Sequence, residues 1–415
     1  MGGAGMQEKK GPEKPKARPL ELHSVEVEGR SLYLVRDPLE IMEGQALVPP
    51  DVAFLLQLMD GTRTPVELAL RFALETGRTL PSSALEKLVE DLDKGLFLEG
   101  DRFEKAFRKV VEDFLASPVR PAALAGRSYP ADKGELASTL EGILDLGPSD
   151  LAPLPAPPAG LVAPHIDLDR GKKTYALAYR HLQAAPPAET FVLFGTCHAG
   201  GLSPLIPTRK DFETPLGRVE VDQEFLDPLL AVLGEQARRE EFLHRNEHSL
   251  EFQVLFLQAL FPDRPFRIVP LLTGALSAGE DGTPRGREDV EAAIDVLAGE
   301  GRRREGRITF LAGADLAHLG PRFGGDRPLE KADLEDLARK DRATLETAAG
   351  GDPEAFYRDV AGDGNARNVC GLSPIYFLLR CLEGRKGEVL GYEQAAEEDG
   401  SQVVSFGALL FPDPF

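Results

Sequence analysis

Four short apolar runs, at residues 160–163, 190–195, 266–273 and 308–313, constrain this chain more than any other feature. They are separated by stretches with helical spacing at 171–184, 222–235, 247–261, 286–299, 329–348 and 373–382. Apolar strands alternating with amphipathic helices pack as an α/β sandwich around a largely buried sheet. The closing Q-V-V-S-F-G-A-L-L-F reads as a last strand, and the Pro-rich stretch at 148–160 as a surface loop. At 415 residues the chain exceeds what one core organises, so two domains are expected, and 42% hydrophobic content suffices to fold both.

Three of the runs exit on imidazole. G-L-V-A-P-H ends at His165, F-V-L-F-G-T-C-H at His198, and I-T-F-L-A-G-A-D-L-A-H at Asp315 and His318. Ligands of open α/β sheets bind beyond the carboxyl ends of the strands, where a side chain has a fixed backbone and an exposed tip. A single histidine there is more often a hydrogen-bonded structural residue. Three at equivalent positions, out of seven in the chain, point to one shared site.

The N-terminal region reads differently. Residues 1–18 are Lys, Pro and Gly with little to bury, the composition of a disordered tail. V-E-V-E-G-R-S-L-Y-L-V then alternates like a hairpin, and a helix is expected up to Gly61. Capping boxes at Thr64–Glu67 and Ser83–Glu86 head two more helices, and K-G-L-F-L-E-G closes the segment as a short strand. Phe103, Phe107, Val110, Val111 and Phe114 mark a connecting helix over 101–118 with a core-facing stripe. Residues 19–118 thus outline a small winged-helix-like α+β domain and its connecting helix. The string L-M-D-G-T-R-T-P-V-E-L-A with L-V-E-D-L-D-K-G-L-F resembles PqqD-like domains, which implies docking of a peptide or protein. Seven Lys or Arg against fifteen Asp or Glu between Leu20 and Gly100 argue against the DNA-reading version of this shape.

A net charge of −20 and a pI near 4.9 disfavour nucleic acid and anionic membranes as partners. No run approaches the roughly 18 apolar residues of a membrane span, and the first residues lack the apolar segment of a signal peptide, so a cytoplasmic protein is expected. Met6 stands where a myristoylation motif wants Ser or Thr. Three cysteines, Cys197, Cys370 and Cys381, are an odd count without framework spacing, which suits a reducing compartment and predicts no disulfide.

From about residue 120 to the end the chain resembles the Memo family, whose bacterial members are called AmmeMemoRadiSam system protein B. The resemblance rests on A-G-R-S-Y-P-A-D (125–132), A-P-H (163–165), F-G-T-C-H (194–198), E-T-P-L-G (213–217) with Asp222, H-R-N-E-H-S-L-E-F-Q (244–253), I-V-P-L-L-T-G (268–274), A-D-L-A-H-L-G (314–320), N-V-C-G-L-S-P-I (368–375) and G-Y (391–392), in that order. It implies, for residues 119–415, a fold like the class III extradiol dioxygenases with a metal at the strand exits. His165, His198 and Cys370 match the family's metal-binding residues. Asp315 and His318 match its D-x-x-H and would line the same pocket, with His248 as a further pocket residue.

This donor set makes chemical sense by itself. Two imidazoles and a soft thiolate favour zinc or copper, whereas two imidazoles and a carboxylate, an option Asp315 keeps open, favour non-haem iron. One divalent transition metal is expected, iron first, with copper and zinc as alternatives. His318, His248 and Asp315 are the expected catalytic groups. Cys370 competes with the commoner fate of a free cysteine as a small buried hydrophobe, but it stands just before a helix start, where a thiolate is stabilised. Glu247 and Glu251 share a helix face and would orient His248, touch the outer shell or, for Glu251, face solvent. His244 reads as structural or substrate-facing, Cys197 as pointing away from His198, and R-R-R-E-G-R (302–307) as a solvated loop.

Two departures from the family pattern alter the pocket rim. Ser128 stands where most members have Trp, and Asp167 follows A-P-H where most have A-P-H-A-G-Y. Asp167, Glu247 and Tyr129 are therefore the expected substrate contacts, with Asp167 as an added carboxylate near the metal. The expected function is a metal-dependent oxidoreductase of unnamed substrate working with a radical-SAM enzyme. The alternative is a non-catalytic component of a modification system that docks a peptide or that enzyme through the N-terminal domain.

Overall fold

The computed structural model describes residues 11–42, 44–279, 281–304, 306–382 and 384–412. The chain divides after Ala116 into two compact units. In the small unit, β1 (Glu21–Val27) and β2 (Arg30–Arg36) form a hairpin that turns at Glu28 and Gly29, both at positive φ, as a type I′ turn requires. β3 (Ala46–Val48), absent from the sequence reading, pairs with β2. Four helices follow: α1 (Pro50–Leu58), α2 (Pro65–Thr76), α3 (Ser82–Lys94) and α4 (Asp101–Ala116).

α2 opens on the expected capping box of Thr64 and Glu67. The second expected box does not form: α3 already begins at Ser82, with Pro81 at its cap and no side chain closing it. The expected terminal strand reduces to one bridge between Leu98 and Ala17. Ala17 belongs to the stretch expected to be a disordered tail. Residues 1–10 of that stretch lie outside the described residues, but the rest is built in. Ala17 N–H donates to Met59 O, Arg18 N–H to Phe97 O, and the buried Arg18 pairs with the buried Asp37 at 2.7 Å. A buried ion pair and backbone bonds outweigh a composition that by itself argues for disorder. On α4 only Phe114 is buried, so the expected core stripe is half-buried within this unit.

The large unit runs β4 (Val119–Arg120), α5 (Lys133–Leu144), β5 (Gly160–Ala163), α6 (Leu168–Gln183), β6 (Thr190–Thr196), β7 (Leu205–Pro207), β8 (Asp211–Thr214), β9 (Gly217–Val221), α7 (Gln223–Val232), α8 (Glu235–Arg239), α9 (His248–Leu260), β10 (Arg267–Thr273), α10 (Glu288–Arg303), β11 (Ile308–Gly313), β12 (Asp315–Leu319), α11 (Lys331–Ala349), α12 (Pro353–Ala361), α13 (Leu372–Cys381), β13 (Glu388–Ala396) and β14 (Val403–Phe411). One mixed sheet of eleven strands follows the order β12-β14-β5-β11-β6-β10-β9-β8-β4, with β13 also on β14 and β7 also on β10. β5, β11, β6 and β10, the four apolar runs, are mutually parallel and almost wholly buried. Helices cover both faces. Phe194 stacks on Phe377 of α13 at 6.0 Å, while its neighbour Gly195 faces α9, and adjacent strand residues point to opposite sides. The run at 302–307 is not a solvated loop throughout, because α10 continues to Arg303 and Arg304 pairs with buried Asp222 at 2.5 Å. Among the described residues no helix is long and apolar enough to cross a membrane.

Register explains how distant residues converge. Gly313 lies level with Ala163 on one side and Gly195 on the other, so the residues after each strand leave from one edge of the sheet. A Cβ at Gly195 would lie 2.5 Å from Ser249 Oγ, and one at Gly313 would lie 2.4 Å from Ser249 O. Only glycine lets the first turn of α9 come this close, and that turn brings Glu247 and His248 to the same edge.

Candidate metal centre

His165 follows β5 through Pro164, and it is buried. Its backbone N–H and that of Ile166 donate to Asp315 Oδ1 at 2.9 and 3.2 Å, and its Nδ1 lies 2.9 Å from Gly313 O. A carbonyl only accepts, so Nδ1 carries a proton and Nε2 is the nitrogen whose lone pair a metal would use once it displaces the second proton. That Nε2 lies 3.3 Å from Cys370 Sγ and 3.7 Å from Asp315 Oδ2.

His198, just past β6, and His248, the first residue of α9, share one carboxylate. Glu247 Oε1 lies 3.0 Å from His198 Nδ1 and 3.2 Å from His248 Nδ1. Glu247 also caps α9, accepting from the N–H groups of His248 and Ser249, while its Oε2 accepts from His198 N–H. Burial works against ionisation of this group, but His198 and His248 outweigh it and hold the carboxyl well below its usual range. Acceptors therefore face Nδ1 in all three rings and leave Nε2 as the metal donor, the outer-shell arrangement that metal-binding histidines show.

The candidate donor atoms of His165, His198 and His248 all lie within 4.8 Å of one another. A tetrahedral ion with bonds of about 2.1 Å sets its donors about 3.4 Å apart, so modest ring rotations would close the three on one ion. Two donor sets share His165 and His198. His248 completes the three-imidazole set, and Cys370 completes the set expected from the sequence. Burial pushes the half-buried Cys370 thiol up, but His165 beside it prevails and lowers it to about 5. Burial likewise opposes charge on His165, yet Asp315 and Cys370 push it up to about 9. Protons thus balance a cluster of negative groups, and a divalent cation that displaced them would bind more tightly as pH rises.

Asp315 and His318 both reach this region. Asp315 is buried, and His318 Nδ1 lies 3.2 Å from Leu316 O and 3.3 Å from Asn368 O, two residues before Cys370. The expected substrate contacts fare differently. Tyr129 is buried and donates its hydroxyl to Glu251, with its ring edge-on to Phe252. Asp167 caps α6 through Arg170 N–H at 3.1 Å and pairs with the Arg170 side chain, so helix capping engages this carboxylate. Glu247 orients two imidazoles with Oε1 and accepts His198 N–H with Oε2. Glu251 is fully buried against Arg120, with no solvated face.

His244 is fully buried, donates from Nε2 to Ile206 O at 2.8 Å, and is pushed down to about 3, chiefly by burial, so it is neutral. Burial pushes the Cys197 thiol up to about 12. Arg120 escaped the sequence reading: P-V-R-P looks like a surface turn, yet this side chain donates to the carbonyls of His244 and Glu247, both at 2.7 Å, and pins the turn that carries Glu247.

Glu247→Gln is expected to weaken metal binding by roughly 10–100-fold, the usual cost of an outer-shell partner. The amide can accept from one ring at most while keeping the cap. Calorimetric titration with Zn(II) or Co(II) measures this, and unchanged affinity would remove Glu247 from the site.

A sequence model of the Memo-like protein family matches residues 120–410. A MEMO1 family protein of Aquifex aeolicus is 25% identical over 382 residues, covering 91% of this chain and 96% of that protein. One from Thermus thermophilus is 29% identical over 352 residues, 85% of this chain and 100% of its own. One from Methanopyrus kandleri is 30% identical over 304 residues, 70% of this chain and 98% of its own. The solved structure of an uncharacterized protein from Escherichia coli K12 matches 61% of this chain and 98% of that one at a TM-score of 0.37 and 14% identity, too remote to bear on the fold.

Proposed function

The chain belongs to the Memo-like protein family, and from that premise we propose that its large unit is a metal-dependent oxidoreductase holding one divalent transition metal on His165 and His198. The observation that carries this reading is that all three converging imidazoles direct Nδ1 to an acceptor and keep Nε2 as the donor. Cys370 or His248 is the third ligand. Iron is the metal this reading favours, with copper and zinc as alternatives. Such a metal supplies electron transfer and Lewis acidity when bound. Asp315 Oδ2, beside His165, and His318, half-buried at the end of β12, are the acid and base groups of the site. A class III extradiol dioxygenase-like fold is part of the same reading.

Protein purified anaerobically from its own host is expected to carry near one equivalent of iron or copper, and to consume oxygen or change metal oxidation state with substrate. A metal that stays redox-silent under all conditions would end the oxidoreductase reading and leave a structural ion.

One observation favours a second reading, a docking role for the small unit as a PqqD-like module. α2 exposes Val66, Leu70 and Leu74 at 59%, 62% and 71%, four residues apart and hence on one face. A radical-SAM enzyme or its peptide substrate is the partner this reading assigns. Binding of a purified candidate enzyme should be abolished by Leu70→Asp with Leu74→Asp; equal binding would count against it.

A further inference from the structure

The turn after β12 leaves an aromatic ring partly exposed. Residues 320–325 read G-P-R-F-G-G, and Phe323 in their middle is 37% exposed. The backbone that carries it is hydrogen-bonded from both sides. Phe323 N–H and Gly325 N–H both donate to Gly320 O, at 2.9 and 3.0 Å, and Arg322 N–H donates to Ser401 O at 3.1 Å. Gly324 closes the turn at φ +87°, a conformation that ordinary side chains resist. The inner part of the ring meets His318 edge-to-face, with centroids 5.1 Å apart and planes at 88°.

His318 is itself held from its other side by the carbonyls of Leu316 and Asn368, and Asn368 Nδ2 donates to His318 O at 3.2 Å. The ring therefore packs on His318, the acid–base group of the reading above, and presents apolar surface beside it on a hydrogen-bonded turn. Exposing a large aromatic side chain forgoes burial that would stabilise the fold, and a rigid exposed aromatic is the feature that binding surfaces use for low-entropy apolar contact.

We propose that Phe323 is a specificity-determining residue, which receives the flat apolar body of a small molecule whose polar head binds the metal. The substrate class is then an aromatic or similarly planar compound carrying a nitrogen or oxygen donor, and not a small hydrophilic anion or sugar. This inference rests on the metal reading above.

The test uses full-length protein loaded with Co(II), with imidazole and 4-phenylimidazole as probes read by the Co(II) absorption spectrum. Native protein is expected to bind 4-phenylimidazole about tenfold more tightly than imidazole, the effect of one aromatic contact with its buried area. Phe323→Ala should reduce that preference to about twofold or less and leave imidazole binding unchanged, which also shows the variant to be folded. A preference that survives in Phe323→Ala, or is missing in the native protein, overturns the proposal while the metal reading stands. Failure to take up Co(II) overturns both, and loaded protein whose spectrum responds to neither probe overturns the proposal alone.

Discussion

Arg120→Met is expected to destabilise the large unit by about 3–5 kcal/mol, the usual cost of breaking a buried ion pair from one side. The side chain is fully buried, and what it leaves behind sets the magnitude. Arg120 donates from Nε to His244 O and from one terminal nitrogen to Glu247 O, and pairs through the other with the buried Glu251. Methionine replaces the volume and offers no donor. Three carbonyls, of His244, Glu247 and Pro121, lose a charged partner, and the Glu251 carboxylate keeps only Tyr129 O–H and the N–H groups of Ala123 and Leu124. Arg120→Met combined with Glu251→Leu should lose less than the sum of the single changes, because the double variant strands no charge. Urea denaturation, following the transition of the large unit, decides between these. Strictly additive losses would mean that the pair is energetically uncoupled.

Arg120 also marks the limit of what the sequence discloses. Nothing in P-V-R-P distinguishes a solvated arginine from one inside the core, since the distinction depends on which turn folds over it, and that turn lies at residues 244–247. The four central strands were legible because both their faces are buried, which makes them continuous apolar runs that no polar alternation interrupts. β7, β8 and β9 were not. They are three to five residues long, and strands that short leave no period to detect. α5 escaped for a related reason: Gly134 and Gly142 weaken its helical character, although Asp132 capping Gly134 N–H and Glu135 N–H was a readable start signal.

The site divides along the same line. That His165, His198 and Asp315 follow the ends of β5, β6 and β11 could be read directly from apolar runs that stop at them, whereas His318, expected at the same exit, lies within β12 and pairs with Val404 of β14. That the first three leave the same edge follows from the level register of Ala163, Gly195 and Gly313, which no local pattern encodes. Asp167 shows two physical roles competing for one residue. The sequence permits it as a carboxylate near a metal or as the cap of D-L-D-R, and the cap prevails because Arg170 N–H lies three residues on and needs an acceptor. Tyr129 misled in the opposite way: a tyrosine within a recognisable motif suggests substrate, but a buried hydroxyl must find a partner, and Glu251 is within reach.

Cys370→Ser and His248→Ala are expected to have opposite outcomes, and the pair decides which donor set holds the metal. If His165, His198 and Cys370 bind the ion, a hydroxyl is a poor substitute for the soft thiolate, and Cys370→Ser should lower affinity by more than the roughly 10–100-fold typical of outer-shell changes. The fold should persist, because the buried sheet does not depend on one half-buried thiol. His248→Ala should then behave as an outer-shell loss, as should Asp315→Asn. Co(II)-loaded protein gives a second reading: a thiolate ligand produces a strong near-ultraviolet charge-transfer band that three imidazoles lack, and Cys370→Ser should abolish it. If His248→Ala empties the site and the band is absent from native protein, three imidazoles hold the ion. Cys370 is then a thiolate poised 3.3 Å from His165 Nε2 beside the metal, a reactive group and not a ligand. If Asp315→Asn alone empties the site, two imidazoles and a carboxylate remain, and that donor set is the one that most favours non-haem iron.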